Sequence, residues 1–137
     1  MAEQSPVREL RVALTVDNYE EALAFYRDTL GLPVVEAFDQ PEGSGVVLDA
    51  GRATLELLST GQAALVDGIE VGSRVAGPVR LAMEVGDSAA TARALVAGGG
   101  ELVGGPVVTP WSHRNVRLRA PDGMQLTLFS VIDDGEA

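Results

Sequence analysis

Leu-Arg-Val-Ala-Leu-Thr-Val at residues 10–16 is matched further along the chain by Val-Arg-Leu-Ala-Met-Glu-Val at residues 79–85. The similarity extends beyond these two stretches, because Arg80 lies 69 positions after Arg11 and Thr127 lies 71 positions after Glu56. The sequence therefore contains an internal repeat, which indicates that one structural unit occurs twice.

Each repeat is typical of a strand, a helix and then several strands. We assign the first βαβββ module to residues 7–59, the second to residues 79–131, and residues 60–78 to a connector with a short strand or a helical turn. A unit of roughly 50–60 residues is only marginally stable alone. We therefore expect one domain, residues 1–137, in which the modules pack together or swap between two chains of a homodimer.

The bulk composition excludes several classes of partner. Asp and Glu number 20 against 10 Lys and Arg, for a formal net charge of −10. Such a charge argues against nucleic acid and against an anionic membrane as the main partner, since both need a basic footprint. The sequence lacks cysteine and any apolar run long enough for a transmembrane helix or a signal peptide. We expect a cytoplasmic protein whose ends, Met1–Pro6 and Asp133–Ala137, are frayed.

Four strands alternate between an apolar face and a mixed face. The apolar set should pack beneath the two helices; it comprises Val12, Leu14, Val16, Leu55, Leu57, Leu81, Met83, Val85, Leu126 and Leu128. The mixed set comprises Arg11, Ala13, Thr15, Thr54, Glu56, Leu58, Arg80, Ala82, Glu84, Gln125, Thr127 and Phe129. A mixed face is either solvated surface or the lining of a cup, and periodicity leaves both open.

The chain resembles the vicinal oxygen chelate superfamily in this duplication and in the segments Val12–Asp17, Phe25–Leu32, Leu55–Leu57 and Pro121–Gly123. That superfamily includes glyoxalase I, bleomycin-resistance proteins, extradiol dioxygenases, fosfomycin-modifying enzymes and methylmalonyl-CoA epimerase. The resemblance implies an α+β fold in which two tandem βαβββ modules form a cupped mixed sheet with helices on the convex side. It also implies that the mixed face lines the cup.

The resemblance places the superfamily's metal ligands at Arg11, Glu56, Arg80 and Thr127, and only Glu56 is a suitable residue type. An arginine side chain keeps its charge and has no lone pair to donate, and threonine is a poor neutral ligand. We therefore expect no metal and no cofactor, and a small-molecule ligand in the cup. Arg11, Glu56 and Arg80 form either a structural ion-pair cluster or a clamp for an anionic ligand; Glu84 lies on the same face and could pair with either arginine.

Three other residues are candidates for ligand binding. His113, the only histidine, has the side chain best suited to proton transfer near neutral pH, although it is expected in a loop. Trp111, the only tryptophan, could form an aromatic wall, pack at a sheet edge or contact a dimer partner. Phe129 could join Trp111 or pack in the core.

Three functions remain open from the sequence. The first is a metal-free protein that binds a drug or metabolite, in the manner of the bleomycin-resistance proteins, as a homodimer. The second is a lyase, isomerase or dioxygenase with a degenerate active site, in which Glu56 or His113 acts as the base. The third is an interaction module whose cup is filled by side chains.

Overall fold

The computed structural model describes residues 5–132, and within them eight strands form one open mixed sheet. The sequence-based expectation of frayed ends falls largely on residues 1–4 and 133–137, outside the described residues. The strands are β1 (Glu9–Val16), β2 (Val34–Gln40), β3 (Gly43–Asp49), β4 (Thr54–Ser59), β5 (Val79–Glu84), β6 (Glu101–Val108), β7 (His113–Arg119) and β8 (Gln125–Val131).

The strand order, β2-β3-β4-β1-β5-β8-β7-β6, shows the internal repeat directly. Each module contributes four adjacent strands, with one parallel pair in each half, β1 with β4 and β5 with β8. The modules join at the centre of the sheet, where β1 pairs antiparallel with β5 and Val12 lies opposite Leu81. The two halves therefore pair within one chain, and the predicted α+β architecture is confirmed.

One face of the sheet, here called the outer face, carries the apolar residues predicted from the alternation. In the first module Leu23 of helix α1 (Tyr19–Leu23) packs on Val46, Leu48 and Leu57. In the second module Ala92 of the equivalent helix packs on residues of β7 and β8, among them Val116 and Leu128. Burial of these side chains supplies the main favourable term for folding.

The helix of the first module changes its winding along its length. The Asn18 side chain accepts a hydrogen bond from the backbone N–H of Glu21, which caps the start of α1. The chain then continues as a π-helical segment, Ala24–Thr29. This segment ends before Gly31, which has a φ of +90° that favours glycine.

The connector contains a 12-residue helix, α2 (Thr60–Val71), where the sequence predicted a short strand or a helical turn. The Ser59 hydroxyl caps it by accepting from the Gln62 backbone N–H, and Gly72 ends it in the left-handed conformation. The other helix, α3 (Ser88–Ala97), is the helix of the second module. None of the described helices is long and apolar enough to cross a membrane.

Helix α2 lies against the opposite face of the sheet, here called the inner face, and close backbone contacts hold both its ends. A Cβ atom on Gly61 would lie 2.2 Å from the Glu42 carbonyl oxygen, and one on Gly104 would lie 2.5 Å from the Glu70 carbonyl oxygen. These glycines therefore permit the helix to approach the β2–β3 turn at one end and β6 at the other. The inner face is partly filled by this helix.

Candidate functional site

A cleft of about 50 Å³ lies on the inner face beside α2, and both modules contribute to it. Seven of the eight residues predicted to bind a ligand line this cleft: Arg11, Glu56, Arg80, Trp111, His113, Thr127 and Phe129. Their common location follows from the strand pairing, because β4, β1, β5, β8 and β7 are consecutive in the sheet. The mixed face therefore lines a cleft and is not simply solvated surface.

Glu84 is the predicted residue that the structure does not bring to the cleft. It is the last residue of β5 and lies opposite Glu9 of β1. Its carboxylate is 4.0 Å from the Arg8 guanidinium, which is largely exposed. Glu84 thus makes a surface ion pair with Arg8, and the predicted pairing of Glu84 with Arg11 or Arg80 does not form.

Arg11 is held by a carboxylate on its own strand and by an aromatic ring. Its Nε and Nη2 atoms donate to the two carboxylate oxygens of Glu9 at 3.1 and 3.2 Å. Its guanidinium carbon lies 4.9 Å from the centre of the Phe129 ring, a cation–π distance. Arg11 therefore contributes to the wall of the cleft with its charge largely balanced by Glu9.

Arg80 is buried and reaches the second module. Its Nη1 atom donates to Thr127 Oγ1 at 3.0 Å. Among the described residues no carboxylate oxygen lies within 4 Å of its guanidinium. The ion-pair cluster of Arg11, Glu56 and Arg80, one of the two alternatives left by the sequence, does not form at ion-pair distances.

Glu56 is the carboxyl group in the centre of this arrangement. In the part of the chain that the structure describes, no arginine nitrogen lies within 4 Å of its carboxylate. Burial raises the pKa of Glu56 above its usual range, and the positive charges of Arg80 and Arg11 only partly oppose this shift. The side chain still reaches the cleft, so Glu56 is a carboxyl group that is poorly compensated and accessible to a ligand.

A second set of charges on the inner face was not predicted from the sequence. Arg117 of β7 is fully buried, and its guanidinium lies 2.9 Å from Asp67 and 2.9 Å from Glu70, both on α2. Arg117 also donates to Gln125 at 3.0 Å. The buried Arg–carboxylate cluster expected beside Glu56 is formed instead by these residues, here called the Arg117 network.

Thr127 connects the Arg117 network with the cleft. Its hydroxyl donates to Glu70 Oε1 at 3.1 Å and accepts from Arg117 Nε at 3.1 Å and from Arg80 Nη1 at 3.0 Å. A hydroxyl has one hydrogen to donate and two lone pairs to accept with, so these three bonds use its full capacity. Thr127 therefore has a structural role that fixes Arg80.

Asp67 shows how completely this network balances its charges. Burial raises its pKa, but the backbone N–H groups of Ala76 and Val75 and the Arg117 guanidinium more than reverse this effect. The net pKa of Asp67 is below the usual range. A buried carboxylate with such partners stays ionised in the folded protein.

Two signals in the sequence could have revealed α2 and hence Asp67 and Glu70. Ser59 is followed three residues later by Gln62, the spacing of a capping box, and Gly72 stands at the end of the helix. Gln62, Val66 and Glu70 recur at four-residue intervals on one helix face. Gly61 and Gly68 obscured this pattern, because glycine is unfavourable within helices.

The aromatic side of the cleft contains His113, Phe129 and Trp111. His113 is the first residue of β7 and not part of a loop, and its ring stacks on Phe129 with centres 4.8 Å apart. Burial lowers the pKa of His113, and the charge of Arg11 lowers it further. His113 therefore presents a neutral ring at pH 7, while Trp111 lines the cleft and stays partly exposed to solvent.

The four positions that correspond to metal ligands do not fit a divalent cation. Arg11 and Arg80 would repel the ion and have no lone pair to donate, and both lone pairs of the Thr127 hydroxyl are already used. Glu56 alone remains, and residues 5–132 contain no group of three or more His, Asp or Glu side chains suited to a metal. A divalent site needs several such donors together.

Comparisons with known structures agree with this architecture. Methylmalonyl-CoA epimerase from Mycobacterium tuberculosis is similar over 97% of this chain and 94% of its own, with a TM-score of 0.69 and 21% identity. The Streptomyces coelicolor epimerase in complex with 2-nitronate-propionyl-CoA gives 94%, 100%, 0.67 and 20% for the same quantities. A glyoxalase/bleomycin resistance protein/dioxygenase superfamily member from Vibrio splendidus gives 89%, 97%, 0.61 and 14%.

No curated protein matches the chain. At identities this low the solved structures establish the fold and leave the reaction open. A match to a sequence family, in contrast, covers residues 10–128, which is most of the chain. The chain therefore belongs to the Glyoxalase/Bleomycin resistance protein/Dioxygenase superfamily.

Proposed function

We propose that the protein binds a small organic molecule in the inner-face cleft and that it does so without a metal ion. The observation that carries this proposal is the pair of arginines, Arg11 and Arg80, at two of the positions where the superfamily chelates its metal. Both are held in place, by Glu9 and Thr127, so neither can turn away to admit an ion. The cleft itself combines an aromatic wall with a few polar groups, which is typical of small-molecule sites.

The experiment is a thermal-shift screen of metabolites and antibiotics with protein treated with EDTA. A ligand present at about 100 times its Kd adds about 2.7 kcal/mol to the free energy of unfolding. We expect at least one compound to raise Tm, and the shift to be the same after addition of Zn²⁺, Ni²⁺ or Mn²⁺. Stoichiometric metal bound in equilibrium dialysis, and lost in Glu56→Gln, would overturn the proposal.

A lyase or isomerase activity is the second candidate, and the state of Glu56 favours it. A carboxyl group whose pKa is raised by burial is suited to act as a general base near neutral pH. The test is to incubate the protein in D₂O with a panel of carbonyl compounds that carry acidic C–H bonds and to follow deuterium incorporation by NMR. Exchange that disappears in Glu56→Gln would support catalysis, whereas exchange that is unaffected by the substitution would exclude Glu56 as the base.

The homodimer expected from the sequence stays a prediction. Sedimentation equilibrium over a range of protein concentrations would test it, since a monomer of 14.3 kDa is readily distinguished from its dimer.

A further inference from the structure

Two buried amide groups in the cleft each have an oxygen without a hydrogen-bond donor. Gln62 and Asn115 are 5% and 4% exposed, and both line the cleft. Among the described residues, Gln62 Oε1 and Asn115 Oδ1 are the buried side-chain polar atoms that lack a partner. Buried polar groups are almost always hydrogen-bonded in folded proteins, so two such oxygens in one cleft indicate that a ligand supplies the donors.

The orientation of the Asn115 amide is fixed by its neighbour. Its Nδ2 group donates to Glu70 Oε2 at 2.8 Å, and Glu70 is held in turn by Arg117. A rotated amide would place oxygen against the carboxylate, where no hydrogen bond can form. Asn115 Oδ1 is therefore an acceptor that the Arg117 network presents to the cleft.

Gln62 approaches the cleft from the first turn of α2. Its backbone N–H is bound by Ser59 Oγ at 3.1 Å, and Gly43 packs against its backbone. The side chain therefore starts from a fixed position. The Glu56 carboxylate adds further acceptor atoms to the same cleft.

The donors around the cleft are largely committed to other partners. Arg11 binds Glu9, Arg117 binds Asp67 and Glu70, and Arg80 binds Thr127. The charge of Arg80 is also opposed by the nearby Glu56. The unsatisfied capacity of the cleft is thus mainly that of an acceptor, and a ligand group rich in N–H donors complements it.

The size of the cleft limits this group further. A volume of about 50 Å³ has room for a few heavy atoms, since one water molecule needs on the order of 10–15 Å³ by this measure. Trp111, which is partly exposed, lines the same cleft and can stack on a planar group that extends outward. The part of the ligand that is buried must therefore be compact.

We propose that the buried end of the ligand is a compact planar group with several N–H donors, of the amidine, guanidine or primary amide type, bound by Gln62, Asn115 and Glu56. This inference rests on the proposed function, that the cleft binds a small molecule, and adds the chemical class of the group recognised. It assigns Gln62 and Asn115 as the residues that determine specificity.

Three probes of the same shape test the inference by isothermal titration calorimetry: benzamidine, benzamide and benzoate. We expect benzamidine and benzamide to bind with a Kd at least about fivefold lower than that of benzoate, because benzoate offers acceptors to acceptors. Benzoate binding that equals or exceeds that of the other two would overturn the inference and leave metal-free binding intact. Failure of all three probes would also overturn it, while the wider ligand screen tests the proposed function separately.

Substitution of Gln62 locates the effect. Gln62→Met removes the amide at similar volume and should raise the Kd of benzamidine about five- to tenfold, the loss of one hydrogen bond. Gln40→Met makes the same change at an exposed position of β2 outside the cleft and should leave the Kd unchanged. Gln62→Glu keeps an acceptor at the site and should retain benzamidine binding, which covers the case in which Gln62→Met folds poorly. Equal affinity in all variants would contradict the assignment.

Discussion

Two sets of buried charge lie side by side on the inner face, and they differ in how their charges are balanced. In the Arg117 network one guanidinium contacts two carboxylates, and Thr127, Asn115 and Gln125 add hydrogen bonds. A short distance away Glu56 lies without an ion pair, and its pKa is raised. The first set holds α2 on the sheet, whereas the second faces the cleft.

This difference separates structural from functional charge. A buried charge is tolerated in a folded protein when partners replace its lost hydration, and it then contributes to a fixed geometry. A buried group without such partners reduces stability and is typical of sites that bind or react. The comparison therefore predicts opposite responses to substitution in the two sets.

The largest effect is expected from Arg117→Met, which removes the only cation between Asp67 and Glu70. Two carboxylates would then be buried without the guanidinium, and loss of one partner of a buried pair costs about 3–5 kcal/mol. We expect the free energy of unfolding in urea to fall by this amount.

Arg119→Met is the matched control on the same strand. Arg119 is 41% exposed and pairs with the exposed Glu101 at 3.2 Å. Exposed pairs contribute about 0–1 kcal/mol, so the change should be small. Equal losses in the two variants would remove the distinction between the Arg117 network and an ordinary surface pair.

The next effect concerns the docking of α2, on which the Arg117 network depends. Gly104→Ala would place a Cβ atom 2.5 Å from the Glu70 carbonyl oxygen and 2.7 Å from the Val71 side chain. The helix would have to move away from β6, and overpacking of this kind costs about 1–3 kcal/mol. We expect a lower Tm in differential scanning calorimetry.

Gly68→Ala provides the contrast within α2. A Cβ atom at Gly68 meets nothing within 4 Å, and the residue is exposed. Alanine is favoured over glycine in helices by about 1 kcal/mol, so this variant should be more stable than the wild type. A higher Tm for Gly104→Ala as well would show that α2 is not tightly docked.

The sheet and its outer face could be predicted from the sequence, because their signals are local. Alternation in β1 and β5 identifies which residues face the helices, and the repeat identifies which strands correspond. Seven predicted site residues share one cleft for the same reason: residues in register on paired strands must be neighbours.

The Arg117 network could not be predicted, because it depends on the position of α2. Nothing in the sequence of residues 60–78 states which face of the sheet a helix there would cover. Glu70 and Arg117 are 47 residues apart, and their contact requires that docking. For the same reason the pairing of Arg11 with Glu9, and the position of Glu84 at the surface, became evident only in three dimensions.

Glu56→Gln tests the other side of the comparison through its pH dependence. The raised pKa means that, above pH 4.5, the folded protein retains a proton on Glu56 that the unfolded chain releases. The contribution of Glu56 to stability is therefore greatest below pH 4.5 and is lost as the pH rises through the folded-state pKa. We expect Glu56→Gln to gain stability relative to the wild type over this window, as measured by urea denaturation from pH 4 to pH 8.

The charged groups around Glu56 do not reverse this sign. Arg80 on β5 and Arg11 on β1 lower its pKa, whereas Glu70 on α2 and Glu36 on β2 raise it together with burial, and the net shift is upward. Glu42→Gln, at an exposed position of the β2–β3 turn, is the control. A pH profile for Glu42→Gln like that of Glu56→Gln would show that the effect does not arise in the cleft.

The smallest effect is a shift in the pKa of His113, which can be followed alone because the chain has no other histidine. Burial is the main cause that lowers this pKa below 6.5, and Arg11 contributes the next part. Arg11→Met should therefore raise the pKa of His113 and still leave it below 6.5, as measured by NMR titration of the ring protons.

The remaining charges act in the same direction in this variant. Glu9 and Glu70 raise the pKa of His113, and removal of Arg11 leaves Glu9 without its partner. Arg114→Met changes an arginine next to His113 in sequence that does not line the cleft, and it should leave the pKa where it is in the wild type. An unchanged pKa in Arg11→Met would mean that Glu9 already cancels the field of Arg11 in the cleft. The charge available to a ligand would then be that of Glu56 and Arg80 alone.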